Sequence, residues 1–197
     1  MKQLIYITSF ITLTAALQFC HNGNAQPNSQ PAVAGTDSTT EYVCLPCGSA
    51  CDSIILSGPG TCQHCQMQLV KKSSVVFNTI SPAGLYQYMM QKGRENIVLL
   101  DVRTPEEFNG TAEEKFGRLQ NAINIPVQAL KQRITELDKY KNKEIIVYCS
   151  HSHRSPQASY LLTQNGFTHV SNLQYGMHMW KQQVTDTAGN KLLFVPQ

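Results

Sequence analysis

Two groups of cysteines in this sequence carry side chains that could do chemistry. The first is a single residue, Cys149, which follows the apolar run "EIIVY" and begins the segment "CSHSHRS". Its thiolate could act as a nucleophile in an anion-binding turn, or the segment "CSHSH" could bind a soft metal ion. The second group has five cysteines within residues 44–65. Paired cysteines at such spacings are typical of metal sites and of disulfides.

The elements on either side of Cys149 favour the nucleophile. "EIIVYC" is typical of a buried parallel strand, and "SPQASYLLTQNG" predicts a helix with Ser155 as N-cap, Pro156 at its first position and Gly166 at its end. Ligands of open α/β sheets bind beyond the carboxyl ends of strands, where backbone N–H groups and the helix dipole stabilise anions. We therefore expect this position to favour the thiolate of Cys149 over its thiol, and Arg154 to neutralise a bound anion. The alternative is a buried cysteine of the core.

The cysteine cluster between residues 44 and 65 predicts a metal site. Two C-x2-C pairs are separated by 14 residues, a spacing close to that of zinc ribbons, and four thiolates can surround one ion tetrahedrally. Thiolates suit Zn(II) or Cu(I), so we expect zinc or copper. The predicted ligands are Cys44, Cys47, Cys62 and Cys65, with Cys51 and His64 as additional candidates. Disulfides are the alternative if the compartment is oxidising.

Alternating apolar runs and capped helices indicate a parallel α/β domain from Ser74 onward. "SPAGLYQYMMQKG" predicts a helix that begins after Ser81 and stops at Gly93. "TPEE" predicts a capping box between Thr104 and Glu107. "NIVLLDVR" and "HVSNLQYG" predict two more strands, and "IPVQALKQRITELDKY" predicts an amphipathic helix. The fold class is therefore α/β.

The first part of the chain predicts export. Lys2, the apolar stretch "LIYITSFITLTAALQF" and a small-residue exit are typical of a secretory signal cleaved near Gln26. The alternatives are a lipid anchor on Cys20 and a retained membrane anchor. We expect a bacterial periplasmic protein. The predicted domains are a signal peptide (1–25), a flexible linker (26–41), a Cys-rich metal-binding module (42–72), the α/β domain (74–184) and a C-terminal tail (185–197).

Composition and charge narrow the class of protein. Hydrophobic residues make up 42% of the chain and charged residues 15%, which describes a globular rather than a disordered protein. The net charge of +3 is small, and no Lys/Arg block is present. Nothing in the charge pattern therefore indicates a nucleic-acid partner.

Four ordered segments of the α/β part resemble a rhodanese-like domain: "LLDVRTPEEF", "GRLQNAINIPV", "IIVYCSHSHRS" and "VSNLQYGMHMW", within roughly residues 74–184. The resemblance implies a five-stranded parallel sheet with helices on both faces. It also implies a sulfurtransferase, in which Cys149 takes a sulfane sulfur from thiosulfate or a persulfide and passes it to a thiol or cyanide acceptor without a cofactor. The implied residues are Cys149 and Arg154 in catalysis, Ser150, His151, Ser152, His153 and Ser155 in the active-site loop, Asp101 and Arg103 as scaffold, and Trp180 in the closing "G-M-x-x-W".

Loop length and loop composition refine this resemblance. Four residues separate Cys149 from Arg154, the length found in sulfurtransferases, whereas related phosphatases and arsenate reductases have one more. Ser150 stands where the family often has Arg, and Ser152 where it has Gly, which puts efficient use of doubly charged thiosulfate in doubt. The two loop histidines would supply part of the missing charge if protonated. The alternative is that both are solvated loop residues.

The Cys-rich segment resembles the short heavy-metal-binding domain of exported copper and cation efflux proteins. The matching positions are Tyr42, Cys44, Pro59, Gly60, Cys62, Cys65 and Met67. Cys47 stands where that family has His. The resemblance implies a zinc-ribbon-like module that binds a transition metal such as zinc or copper, and a metal-efflux or redox protein as a partner.

These observations support two functions of different classes. The leading hypothesis is an exported sulfurtransferase with an accessory metal-binding module. The second is a metal-handling protein whose rhodanese-like domain is a non-catalytic binding platform. A third, a phosphatase or arsenate reductase, is disfavoured by the length of the loop that begins at Cys149.

Overall fold

The computed structural model of this protein describes residues 40–197. The predicted signal peptide (1–25), Cys20 and all but the last two residues of the predicted linker lie outside the described residues. Within residues 40–197, no helix is both long enough and apolar enough to cross a membrane.

A five-stranded parallel sheet forms the centre of the α/β part. The strands in chain order are β1 (Tyr42–Val43), β2 (Ile55–Leu56), β3 (Val70–Lys71), β4 (Asn78–Ile80), β5 (Ile97–Asp101), β6 (Arg118–Leu119), β7 (Ile123–Asn124), β8 (Glu144–Tyr148), β9 (Val170–Leu173) and β10 (Phe194–Val195). The central sheet has the order β4-β9-β8-β5-β7, and all of its pairs are parallel. β5 and β8 are buried along nearly their whole length, as apolar runs in a parallel sheet require.

Helices cover both faces of this sheet. They are α1 (Pro82–Lys92), α2 (Pro105–Asn109), α3 (Val127–Arg133), α4 (Arg154–Gln164), α5 (Trp180–Gln183) and α6 (Thr187–Leu193). Side chains alternate between faces along β8: Ile145 packs in one cluster with Leu130 of α3 and Leu162 of α4. Ile146 packs in a second cluster with Leu85 of α1. The five-stranded parallel sheet with helices on both faces is therefore confirmed.

Local capping signals place most helix ends where they were predicted. The Ser81 side chain accepts a backbone hydrogen bond at 3.1 Å at the start of α1, and both bonds of the capping box between Thr104 and Glu107 are formed. The helix predicted from "IPVQALKQRITELDKY" is only half right, because α3 gives way to a 3-10 helix at Ile134–Tyr140. Leu137 remains buried within that tighter turn, so the apolar stripe is kept.

The C-terminal residues are folded, which corrects the prediction of a tail at 185–197. Asp186 caps α6 by accepting hydrogen bonds from two backbone N–H groups. β10 pairs with β6 in an antiparallel ladder. The indole N–H of Trp180, which is fully buried, donates to the side chain of Asn190 at 2.9 Å. These contacts join the end of the chain to the α/β domain.

The Cys-rich segment forms a small antiparallel sheet of order β2-β1-β3. Most of its buried side chains, including Leu45 and Met67, belong to the same hydrophobic cluster as Val147 and Ala158 of the α/β domain. Both parts also lie in one compact unit. Residues 42–72 thus share a core with the domain that follows, and their zinc-ribbon-like character stays a prediction.

Candidate functional site

Cys149 lies directly beyond the carboxyl end of β8, at the start of the loop that leads into α4. Its residue is 1% exposed, and its Sγ lies 3.4 Å from Oγ of Ser155. Ser155 was predicted to be the N-cap, but it lies inside the helix, because α4 begins two residues earlier than predicted, at Arg154, with His153 in the capping position. The Ser155 hydroxyl, which was expected to cap the helix, therefore faces the sulfur of Cys149, the candidate nucleophile.

A second segment holds the backbone of the loop from behind. The carbonyl of Cys149 accepts a hydrogen bond from the N–H of Met177, and that of Ser150 from the N–H of His178, both at 2.9 Å. Gly176 makes this contact geometrically feasible. Its φ is 62°, and a Cβ there would lie 2.4 Å from the carbonyl oxygen of Cys149. Sequence reasoning matched the "G-M-x-x-W" motif through Trp180 and missed this role of its glycine.

Ser152 occupies the position where related loops often have Gly, and the structure shows the conformational reason. Its φ is 62°, in the left-handed region, and its side chain is fully buried. Nδ2 of Asn172, on β9, donates to Oγ of Ser152 at 3.1 Å. This bond stabilises a conformation that otherwise costs about 1–2 kcal/mol for a residue with a side chain.

Arg154 closes the loop through a carboxylate that sequence reasoning did not assign to the site. Its two terminal nitrogens form a bidentate pair with Glu107 at 2.6 and 2.7 Å. Ser150 Oγ also donates to Glu107, at 2.8 Å. Burial raises the pKa of Glu107, but its hydrogen-bond donors lower it further, to about 2. Glu107 therefore carries a negative charge that balances the positive charge of Arg154. In the sequence, the one feature that drew attention to Glu107 was its place in the capping box.

The loop histidines differ from the expectation that they supply positive charge. The ring of His151 meets Phe116 edge-on at 5.1 Å between centroids and lies 5.0 Å from the ring of His178. His151 is an exposed residue, yet the desolvation of its ring by these neighbours lowers its pKa from the ordinary value of 6.5. At pH 7, His151 is therefore largely neutral. His153 is exposed as well, so both histidines fit the alternative of solvated loop residues.

Asp101 and Arg103 form a buried ion pair at the carboxyl end of β5. Both side chains are fully buried, and Nη2 of Arg103 lies 2.7 Å from the carboxylate of Asp101. Arg103 also donates to the carbonyl of Gly117 at 2.9 Å. The pair ties the end of β5 to the segment before β6, and such a contact supports the scaffold role predicted for both residues.

The cysteine cluster comes together with a different membership from the one that spacing predicted. Sulfur atoms of Cys44, Cys51, Cys62 and Cys65 all lie within 4.8 Å of one another. Cys47 belongs instead to a separate group with Cys51 and Asp52. His64 is in neither group among the described residues. No cysteine within residues 40–197 forms a disulfide in this structure.

The short turn after Cys47 explains the exchange. Asp52 accepts hydrogen bonds from the N–H of Cys47 at 3.0 Å and of Gly48 at 2.7 Å. The chain then forms a 3-10 helix, Ala50–Ser53, which buries Cys51 at 2% exposure. The C-x2-C spacing of the sequence does not predict this turn, because the turn depends on the Asp52 carboxylate, which holds Cys47 and lets Cys51 reach the other cysteines.

The four sulfurs fit a soft metal ion. Backbone N–H groups of Cys65 and His64 lower the pKa of Cys62 to about 6, against the effect of burial. N–H groups that point at one sulfur favour its thiolate, which is the form that binds metals. Burial and neighbouring thiols raise the pKa of Cys51 to about 12. Three of the four thiols are buried. A positive ion bound among the four sulfurs would favour the deprotonated form of all of them, because a metal binds the thiolate and releases the proton.

The cysteine cluster and the active-site loop are connected by one side chain. Nδ2 of Asn172 donates to Oγ of Ser152 and also to the carbonyl of Pro46, the latter at 3.3 Å. Pro46 lies two residues after Cys44. A Cβ at Gly48 would lie 2.8 Å from the ring of Tyr175, so the Cys-rich segment packs closely on the turn after β9.

Comparison with known proteins places the chain in a family. The family described as "Rhodanese-like domain" matches residues 82–183, slightly more than half of the chain. The uncharacterized protein YqhL of Bacillus subtilis is 39% identical over 108 residues, covering 55% of this chain and 79% of that protein. Thiosulfate sulfurtransferase PspE of Escherichia coli is 38% identical over 37% of this chain and 64% of its own length. A sulfurtransferase of Allochromatium vinosum is 33% identical over 44% of this chain and 73% of its own.

These similarities agree with the geometry of the loop. The matched residues include both central strands, the α2 capping box and the whole segment from Cys149 to Arg154. The Cys-rich segment lies before the match. Since the match spans more than half of the sequence and the parallel sheet presents Cys149 at the end of β8, this chain belongs to the rhodanese-like family.

Proposed function

We propose that this protein is a sulfurtransferase in which Cys149 carries a sulfane sulfur as a persulfide. The observation that carries the proposal is the position of the Cys149 sulfur, held between the end of β8 and the 11-residue helix α4 in a loop closed by Arg154. The start of α4 places a positive dipole end beside the sulfur. Relatives named as sulfurtransferases support the same chemistry.

The proposed reaction has two displacement steps. The Cys149 thiolate attacks the outer sulfur of the donor, so that the donor's S–S bond breaks and its remaining part leaves with the electron pair, as sulfite from thiosulfate or as a thiolate from a persulfide. An acceptor thiolate or cyanide then attacks the outer sulfur of the Cys149 persulfide. The products are a new persulfide or thiocyanate, and the original thiolate is restored.

Charge in the loop favours a singly charged donor. The positive charge of Arg154 is already matched by Glu107 in a bidentate pair. Ser150 stands next to the nucleophile, and His151 is largely neutral because desolvation of its ring lowers its pKa. We therefore expect a persulfide to be used more efficiently than thiosulfate, whose two charges the loop neutralises poorly.

Intact-mass measurement of the purified protein tests this proposal. After incubation with thiosulfate or glutathione persulfide, wild type should gain one sulfur atom that cyanide removes as thiocyanate. Cys149→Ser should gain none. Cys47→Ser is a matched control, since it removes a different buried thiol and should keep the reaction. If wild type gains no sulfur from either donor, the sulfurtransferase proposal is wrong.

A non-catalytic binding platform is the second candidate function. The 1% exposure of Cys149 and the engagement of Arg154 by Glu107 favour it, because both limit access to a substrate. Under this function the protein would handle metal through its Cys-rich segment, and Cys149→Ser would change neither sulfur loading nor thiocyanate formation. The same mass experiment therefore separates the two functions.

We also propose that the protein works outside the cytoplasm, in the periplasm of a bacterium. This rests on the sequence of residues 1–25, with its positive start, apolar stretch and small-residue exit. Amino-terminal sequencing of protein recovered from a periplasmic extract should begin near Gln26. A start at a lipid-modified Cys20 would show anchoring instead.

A further inference from the structure

Four thiols from three short segments meet beside β1. Their sulfurs lie within 4.8 Å of one another, and those of Cys44 and Cys65 are 3.1 Å apart. In a tetrahedral zinc site, bonds of ~2.3 Å place the sulfurs about 3.8 Å from one another. The observed arrangement is thus close to the size that one zinc ion requires, and small side-chain rotations would complete it.

We infer that Cys44, Cys51, Cys62 and Cys65 bind one Zn²⁺ ion, with Cys51 rather than Cys47 as the fourth ligand. Cys47 is held elsewhere: its Sγ donates to Oδ1 of Asp52 at 3.4 Å, and its N–H donates to the same carboxylate. Releasing it toward the other sulfurs would break both bonds and open the turn that buries Cys51. The ligand set therefore departs from the paired C-x2-C pattern of the sequence.

The surroundings of the four sulfurs fit a closed structural site. Four protein ligands leave no position for a water or substrate on a four-coordinate ion, and three of the four, Cys44, Cys51 and Cys62, are buried. An apolar cavity of ≈ 160 Å³, lined in part by His64 and Ile54, borders three of the sulfurs and offers a path for the ion. A tetrahedron of four sulfur donors suits zinc, whereas hard cations such as Mg²⁺ and Ca²⁺ prefer oxygen ligands.

The ion would also stabilise the floor of the active-site loop. Cys44 is two residues from Pro46, whose carbonyl accepts a hydrogen bond from Asn172. The same amide of Asn172 donates to Ser152, which adopts its left-handed conformation within the loop. A zinc ion on Cys44 would therefore fix the acceptor that orients Asn172. This inference does not depend on sulfur transfer, because it concerns metal content and loop order.

Metal analysis of the full chain tests the inference. Protein purified under reducing conditions with zinc should hold one zinc per chain, and X-ray absorption should count four sulfur neighbours at ~2.3 Å. Cys51→Ser should weaken zinc binding by about 100-fold or more, since it removes a ligand, whereas Cys47→Ser should change it less than about threefold. A zinc-binding chelator in competition with the protein measures both affinities.

Several results would overturn the inference. These are a strong loss in Cys47→Ser with little loss in Cys51→Ser, three sulfurs with one nitrogen around the zinc, iron or copper in place of zinc, and disulfides that persist under reduction. If Cys51→Ser does not fold, the affinity of Cys47→Ser decides the matter, because a near-wild-type zinc affinity with four sulfur neighbours in that variant leaves Cys51 as the fourth ligand. Sulfur loading of Cys149, measured on the same samples, reports the proposed activity separately.

Discussion

Replacement of Glu107 by Gln tests whether the carboxylate is what holds the active-site loop closed. Gln has the same shape and can still accept the hydrogen bond from the N–H of Thr104, so α2 keeps its cap. What it removes is the negative charge that pairs with Arg154 at 2.6 and 2.7 Å. The side chains of Glu107 and Arg154 are only 17% and 28% exposed, so water cannot fully replace the lost charge.

The pKa of Glu107 sets the size of the effect and its dependence on pH. Its fall from 4.5 to about 2 corresponds to about 3 kcal/mol of stabilisation, an upper value because Gln keeps part of the hydrogen bonding. Because the folded-state pKa lies below the unfolded one, this stabilisation is complete above about pH 5 and is lost as pH falls toward 2. Glu107→Gln should therefore be less stable than wild type by about 1–3 kcal/mol at pH 7, and nearly equal to it near pH 2.

Urea unfolding at a series of pH values between 7 and 2 measures this difference. Glu106→Gln is the matched control, since Glu106 is exposed on the same helix, and it should differ from wild type by less than about 0.5 kcal/mol throughout. A gap between Glu107→Gln and wild type that stays constant with pH would refute the reasoning. It would show that the carboxylate charge does not stabilise the loop.

Three further predictions concern the backbone of the loop and the metal. The free energy of unfolding of Ser152→Gly, measured in urea, should lie within about 1 kcal/mol of wild type, because relief of the left-handed strain offsets the lost hydrogen bond to Asn172. Ser152→Ala loses the same hydrogen bond and keeps the strain, so it should be less stable than wild type by about 1–3 kcal/mol. Gly176→Ala should destabilise the protein by more than about 3 kcal/mol and abolish sulfur loading of Cys149. The reason is that a Cβ at position 176 would clash with the carbonyl oxygen of Cys149. Gly166→Ala, at φ 84° with open space around it, should cost only about 1–2 kcal/mol; equal effects of the two would contradict the clash. Chelation of zinc should lower the thermal midpoint of wild type by several degrees, and an unchanged midpoint would argue against a bound ion.

Residues that act through their immediate neighbours could be predicted from the sequence. Apolar runs predicted β5 and β8 because both faces of a parallel strand are buried. Ser81 and Thr104 predicted the starts of two helices, since a cap bonds to N–H groups only two or three residues away. Cys149 could be predicted as the candidate nucleophile in the same way, because it begins a polar loop between a buried strand and a helix.

Residues whose partners lie far away in the sequence could not be predicted from it. Glu107 reaches Arg154 across 47 positions, and Asn172 reaches Pro46 across 126. Each looks ordinary in its local context, one as part of a capping box and the other as a strand residue. Only the parallel sheet, which aligns the carboxyl ends of β5, β8 and β9, brings them to one loop.

The sequence alone determined the fold class, the position of the candidate nucleophile and the presence of a thiol-rich segment, because these depend on residue type and short-range spacing. The tertiary structure decided which groups surround each sulfur. It gave Arg154 a carboxylate partner, turned Ser155 from a predicted cap into a neighbour of Cys149, and exchanged Cys47 for Cys51 among the clustered thiols. The physical reason is that charge balance and ligand geometry depend on distances in space, which packing sets.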